Sequence, residues 1–471
     1  MVHQYKNNGF NIVMDVESGS VHVVDDIVYD LVRVLDEYSK TNSIRTVIDE
    51  DNIEAVAYEE IRSYLKEKLA SYDEELIREA YEETAYLIED ERLFTDDLFE
   101  DNIAGIIGRE PVLKALCLHV AHDCNLACRY CFAGEGEYHG DRQLMSFEVG
   151  KKALDLLVRS SKNRRNLEVD FFGGEPLMNF EVVKQLVEYG RSLEDKYDKK
   201  FRFTLTTNGV LLDDEILDFA NKEMGNLVLS LDGRPEVHDR MRPRRGGQGS
   251  YDQIVPKFIK AAKSRDQMNY YVRGTYTRYN TDFAEDVKHI AELGFEQISV
   301  EPVVAPLSED YSLRDEDIPK LCEQYDILAK YMLKRKKEGK GFNFFHFMID
   351  LSGGPCAYKR ISGCGSGTEY LAVAPNGDLY PCHQFVGMSD FLMGNVDTGV
   401  ENTELSGKFR RCNVYSRQEC RNCFAKYYCS GGCAANAYNY SGDINGVYDI
   451  GCKLQQKRVE TAIMIKAACA E

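Results

Sequence analysis

The chain has 471 residues, 44% of them hydrophobic, and 58 lysines and arginines against 78 aspartates and glutamates give a net charge of −20. That length holds about two to four domains with a sizeable core, and the acidity disfavours nucleic acid as a partner. No apolar run is long enough to span a membrane and the first residues lack the apolar core of a signal peptide, so the expected location is the cytoplasm.

The acid is unevenly placed. Residues 1–110 hold 10 basic and 28 acidic side chains, net −18, which leaves −2 for residues 111–471. Such a segment suits either a basic partner or a solvated surface. Fifteen cysteines in a reducing compartment indicate metal or catalysis rather than disulfides.

Residues 1–100 read as a small α+β unit. Residues 11–16 and 20–24 alternate around Glu17-Ser18-Gly19, the pattern of a hairpin. Asp25 or Asp26 can cap a helix whose apolar positions Ile27, Leu31, Val34 and Leu35 recur at helical spacing. Further helices are expected over 53–69 and 74–91. A hairpin followed by helices predicts a winged-helix arrangement. Residues 101–113, with glycines and a proline, read as a linker. From 114 to 305 strands alternate with helices. The strands fall at 115–120, 167–172, 201–206, 226–231, 270–276 and 297–300, with helices such as 147–160, 181–193 and 213–222 between them. Six such repeats predict a parallel α/β sheet whose site lies at the strand C-terminal ends. Residues 306–352 read as a charged helical connector and 353–471 as a last, cysteine-rich domain.

The chemistry is written in thiols. Cys124-x3-Cys128-x2-Cys131 follows the first barrel strand, and three thiols this close can hold three irons of a cubane and leave the fourth open. A structural zinc site, with His122 as fourth ligand, is the alternative. This spacing, with the aromatic Tyr130 before the third cysteine, resembles the radical S-adenosylmethionine (SAM) superfamily, which implies a partial (β/α)6 barrel. Phe172-Gly173-Gly174-Glu175-Pro176 resembles the family motif that holds the SAM amino group. By the same resemblance Ser230 and Asp232, in Ser230-Leu-Asp232-Gly233, meet the ribose or the SAM carboxylate region. Arg273 is a candidate partner for that carboxylate by charge, and residues 300–303 lie where adenine would sit. Asn208, in Thr206-Thr-Asn208-Gly209, can cap the next helix. The stretch from His238 to Arg242, and the glycines that follow, resemble the SPASM branch of the superfamily.

The last domain contains Cys364, Gly377-x4-Cys382, Cys420-x2-Cys423-x5-Cys429-x3-Cys433 and Cys452. Seven thiols in that order resemble the SPASM domain, which implies two auxiliary iron–sulfur clusters. Cys420, Cys423, Cys429 and Cys452 would hold the outer one, and Cys364, Cys382 and Cys433 the inner one. Cys356 either closes the inner cluster or leaves an open iron for a substrate thiolate. Two zinc sites are the alternative. Cys117 reads as core, and Cys322, Cys412 and Cys469 have no motif around them.

The phrase from Asp15 to Asp25 resembles a PqqD-like leader-recognition domain, the RiPP recognition element, which grips a peptide as an added strand. The whole order resembles the thioether-forming maturases of ribosomal peptides, and most closely those of SCIFF-type cysteine-rich peptides. The resemblance implies three 4Fe–4S clusters, SAM, a precursor peptide bound through its leader, and an electron donor such as ferredoxin or flavodoxin. A 5′-deoxyadenosyl radical would abstract hydrogen from an acceptor residue, and a cysteine sulfur would bond to that carbon. The other readings are an anaerobic sulfatase maturase that makes formylglycine and a non-catalytic zinc-binding peptide adaptor.

Overall fold

In a computed structural model that describes residues 1–49, 52–138, 140–351 and 356–470, the chain opens with an antiparallel sheet of β1 (Val2–Asn7), β2 (Phe10–Asp15) and β3 (Val21–Val24), β2 lying in the middle. Helix α1 (Asp26–Ser39) starts where the Asp25 carboxylate accepts the Val28 N–H. A second hairpin, β4 (Arg45–Asp49) and β5 (Asn52–Ala55), precedes α2 (Tyr58–Lys68) and α3 (Glu74–Glu89). Leu31, Val34, Leu35, Ile61, Leu65, Ile77 and Tyr81 form the core of this unit. The sequence reading is corrected twice here. Strand β1 was not expected, and the helix expected over 53–69 begins only at Tyr58 because Asn52–Ala55 pairs as a strand.

Two short helices, Leu98–Asp101 and Ile103–Ile107, lie in the connection to the barrel. The barrel is built from β6 (Ala115–His122), α4 (Phe147–Ser160), β7 (Asn166–Gly173), α5 (Phe180–Tyr197), β8 (Lys200–Thr207), α6 (Asp214–Glu223), β9 (Met224–Ser230), α7 (Tyr251–Ser264), β10 (Tyr270–Tyr276), α8 (Phe283–Glu292) and β11 (Gln297–Pro302). The six strands pair in chain order and all in parallel, as the sequence indicates. All eight residues of β6 are buried, which a strand covered on both faces requires.

Helix α9 (Ile318–Lys337) fills the connector. The last domain then returns to the barrel. Strand β12 (Tyr370–Val373) pairs in parallel with the free edge of β6, Tyr370 opposite Ala115, and β13 (Asp378–Tyr380) turns back antiparallel to it. The cysteine-rich domain is thus an extension of the barrel sheet. Its final helix, α10 (Asp449–Ala470), packs along α9 and against β1. No helix among the described residues is long and apolar enough to cross a membrane.

The N-terminal sheet is seated on the rest of the chain by Tyr5, Ile12, Met14 and Val16, which join its main hydrophobic core, and by polar contacts. His3 stacks on Phe424 at 3.5 Å with the rings 3° from parallel, and His3 Nε2 lies 3.0 Å from Glu460. Lys426 Nζ reaches Glu17 at 3.0 Å and Asp97 at 2.7 Å. Phe424 and Lys426 both fall between Cys423 and Cys429.

Candidate active site

Cys124, Cys128 and Cys131 sit on the loop that leaves the C-terminal end of β6. Two backbone bonds tie this loop to the segment after β9: Ala127 N–H donates to Pro243 O and Arg129 N–H to Met241 O, both at 2.9 Å. Burial pushes the thiols of Cys124 and Cys128 up to about 12. The Cys124 thiol also stands in the field of Glu175 and of both other cysteines. The three thiols belong to one short loop, and Asn208 Nδ2 approaches the Cys124 sulfur at 3.6 Å.

The glycine motif closes the floor beside them. Gly173 has φ +124°, and a Cβ there would fall 2.2 Å from Ala121 O; a Cβ on Gly174 would fall 2.2 Å from Asp123 O. Only glycine lets β7 come this close to the cysteine loop. Glu175 is buried and accepts from Leu177 N at 3.0 Å, Thr207 Oγ1 at 2.8 Å and Asn208 N at 2.7 Å. Burial pushes its carboxyl up to about 7, against those three donors.

Asp232 is fully buried and already engaged. It accepts from the Tyr130 hydroxyl at 2.7 Å, from Arg242 Nε at 3.1 Å and from Thr275 N at 2.9 Å. This triangle pins the aromatic residue of the cysteine motif to β9 and β10. Ser230 stands opposite Arg273 in the register of those two strands. Arg273 turns to Glu301 at 3.1 Å, and His346 lies 4.0 Å from the same carboxylate. Burial raises the Glu301 carboxyl, but Arg273, His346 and Arg458 outweigh it and hold it at about 2.

The later cysteines lie within electrostatic reach of one another. Burial pushes the Cys429 thiol up to about 12, and Cys452, Cys420 and Cys423 add to it. Cys452, up to about 11, answers to Cys420 and Cys423. Burial also raises Cys382, next to Cys433 and Cys364. Cys356 is exposed at the start of the short helix Ala357–Ser362. Cys117 is buried in β6, Cys322 lies on α9 and Cys469 is exposed on α10. His383, next to Cys382, packs 5.1 Å from Phe172 and 5.7 Å from Phe132, which follows Cys131. The loops of the first thiol group and of the Cys382 group thus face each other over the end of the barrel. The residue type suits thiolate-bound iron–sulfur cubanes, but among the described residues no three Cys, His, Asp or Glu side chains are already arranged to hold a metal ion.

Sequence reasoning gave no site role to Arg242, Asn208 (beyond a cap), His383 or Arg458. Each enters through a contact made by the fold, and none carries a spacing signal.

A model of the radical SAM superfamily matches residues 118–293, and one of the iron–sulfur cluster-binding domain called SPASM matches residues 364–424. The cysteine-type anaerobic sulfatase-maturating enzyme of Clostridium perfringens is 24% identical over 345 residues, 69% of this chain and 89% of that enzyme. The radical SAM cyclopropyl synthase TigE of Paramaledivibacter caminithermalis is 22% identical over 384 residues, 74% of each chain. Streptococcus suis SuiB, solved with S-adenosylmethionine, shares the fold at a TM-score of 0.52 and 16% identity, over 96% of this chain and 98% of its own. SuiB has also been solved with its precursor peptide SuiA.

The chain carries a radical SAM domain followed by a SPASM domain, and it is a radical SAM enzyme. Its cofactors are S-adenosylmethionine and 4Fe–4S clusters.

Proposed function

We propose that this enzyme forms thioether crosslinks, from a cysteine sulfur to a carbon of an acceptor residue, in a ribosomally made cysteine-rich precursor peptide. The observation that carries the reading is the N-terminal unit seated on the cysteine-rich domain through His3, Glu17 and Asp97. The Clostridium perfringens enzyme aligns over 89% of its length with only 69% of this chain, whereas SuiB, which takes a precursor peptide, resembles 96% of it.

In this reading residues 1–100 hold the leader. β3 is an edge strand with Val23 exposed, and an extended peptide can add to it. The exposed Glu79, Glu82 and Glu83 of α3 favour a basic leader. Cys124, Cys128 and Cys131 hold the SAM-binding cluster. Tyr130, Gly173, Gly174, Glu175, Ser230, Asp232 and Arg273 form the walls of the SAM site. Cys420, Cys423, Cys429 and Cys452 hold the outer auxiliary cluster, and Cys364, Cys382 and Cys433 the inner one. The bound groups supply a 5′-deoxyadenosyl radical and an acceptor for the second electron. The chain's own part is placement. Gly173 and Gly174 let the ligand meet backbone, the Tyr130–Asp232–Arg242 triangle fixes the loop, and Glu301 stays a carboxylate at neutral pH and holds Arg273. The electron donor is a small carrier of the ferredoxin or flavodoxin kind.

The sulfatase-maturase reading is the second one, favoured by the near-complete match of that enzyme's length. Anaerobically purified protein and a cysteine-rich peptide encoded beside its gene separate them. The expected product is two hydrogens lighter and lacks one free thiol. Formation of an aldehyde, trapped by a hydrazide, would replace the first reading with the second. Iron should number about twelve per chain, three cubanes. Cys124, Cys128 and Cys131 changed together to Ala should leave about eight irons and no SAM cleavage; retained cleavage would sink the radical assignment of these thiols.

A further inference from the structure

Arg417 is 2% exposed, yet among the described residues no carboxylate lies within ion-pair distance of it. Its side-chain bonds all leave from one nitrogen: Nη2 donates to Ile444 O at 2.8 Å and to the Cys412 sulfur at 2.9 Å. Nε is buried and has no partner. A guanidinium taken out of water with a carbonyl and a thiol for company is costly unless an anion completes its shell.

The surroundings say where that anion lies. Cys429 belongs to one thiol set and Cys433 to the other, and the turn between them lies against Arg417. The backbone between Cys429 and Cys433 passes directly over the side chain. Gly431 has φ +81°, and a Cβ there would fall 2.8 Å from Arg417 Nη1. Arg417 also lines a small cavity with Cys364, Cys412 and Gly432. The cation therefore sits at the turn that joins the two thiol sets, with Nε unpartnered and no protein anion within ion-pair distance among the described residues.

We propose that Arg417 is the shared counter-ion of the two auxiliary iron–sulfur clusters, an N–H donor to their sulfur that holds both reduction potentials up. The inference rests on the reading that these seven cysteines hold two clusters. The physical reason is simple. Reduction adds negative charge to a cluster that is anionic with its thiolates, and a fixed cation beside it favours the reduced form; hydrogen bonds to sulfur act in the same direction. Arg417 is a positioning residue that touches no substrate.

The test uses the full chain with its clusters. Redox titration followed by electron paramagnetic resonance should place both auxiliary potentials lower in Arg417→Gln, by at least about tenfold in the one-electron equilibrium, which is about 59 mV. Arg417→Lys keeps the charge and should restore most of that shift. In wild-type protein made with 15N-arginine, pulsed resonance on the reduced auxiliary signals should show a nitrogen coupling, which Arg417→Lys abolishes. This wild-type measurement decides the matter if Arg417→Gln fails to fold or loses iron. Full iron with unchanged potentials, or with no nitrogen coupling, would overturn the role of Arg417 and leave the two-cluster reading standing. A wild-type chain that holds only about eight irons would overturn both.

Discussion

Lys426→Met isolates the clamp between the N-terminal unit and the cysteine-rich domain. The lysine side chain is 2% exposed, Glu17 6% and Asp97 18%. The Tyr427 hydroxyl donates to Glu17 at 2.8 Å and the Tyr415 hydroxyl to Asp97 at 2.7 Å, so both carboxylates are held in place after the ammonium is gone. Methionine keeps the length and removes the charge. Two buried carboxylates then face each other with no cation, and breaking a buried pair in this way costs about 3–5 kcal/mol. The cost falls on docking, because the acidic partners come from the turn after β2 and from the connection to the barrel. At about 1.4 kcal/mol per decade the opening of the interface should rise by roughly two to three and a half orders of magnitude. Hydrogen exchange of the anaerobic holoenzyme reads this as faster exchange at β1, β2 and the segment between Cys423 and Cys429, with the barrel strands unchanged. Glu17→Gln added to Lys426→Met should recover part of the loss, since the pair is coupled. Exchange less than about tenfold faster, or costs that simply add, would refute the clamp.

Removal of residues 1–100 should raise the KM for full-length peptide or abolish its turnover while SAM cleavage without peptide survives; equal processing by the shortened enzyme would refute leader recognition by this unit. Binding of the leader should weaken as salt rises, because exposed charge pairs are screened. With an inner cluster open to a substrate thiolate, Cys356→Ala should keep about twelve irons; loss of about four would show that Cys356 closes the inner cluster. Burial, with Glu168 beside it, pushes the Asp170 carboxyl in the barrel up to about 6, against Thr204 and Arg202. A carboxyl raised above its unfolded value makes the native state hold the proton more tightly, so its contribution is greatest below about pH 4 and is lost as pH rises through about 6. Asp170→Asn should flatten that part of the Tm–pH profile between about 4 and 6; an unchanged slope would count against it.

The barrel was legible because its strands carry their signal locally. β6 is buried along all eight residues and reads as a mostly apolar run, interrupted by His119 and ended by His122, and β7 and β8 alternate in burial just as they alternate in composition. The cysteine groups stand out in sequence because of their close, regular spacing. What escaped was set by distant partners. β1 reads Val-His-Gln-Tyr-Lys-Asn, with little apolar content, and its His3, Tyr5 and Asn7 are satisfied by Phe424, Glu460 and Asp326 from the far end of the chain. The stretch 53–57 looked like the start of a helix because Ile53, Ile61 and Leu65 fit a helical face. Pairing with β4 took Asn52–Ala55 instead. Asp232 and Arg273 were named as SAM contacts, and no pattern in sequence shows that Tyr130 and Arg242 hold the one and Glu301 the other.

The way the last domain joins the barrel bears on how the proposed chemistry is kept in register. A domain tethered by the α9 connector alone would leave its cysteines free to move relative to the Cys124–Cys131 loop. Here β12 pairs with β6 over four residues, from Tyr370 opposite Ala115 to Val373 opposite Leu118, and β6 is the strand whose end carries that loop. Cys382 follows β13, which hydrogen-bonds to β12. Both cysteine loops are therefore anchored to one sheet, two strands apart. The contacts of His383 with Phe132 and Phe172 across the barrel end follow from that connection. The separation of the two loops is fixed by hydrogen-bonded backbone, the stiffest element available, so a peptide cysteine and its acceptor carbon can be presented between them at one distance. The N-terminal unit is joined to the same body by side chains, with Tyr5, Ile12, Met14 and Val16 in the common core and the buried Lys426 clamp beside them.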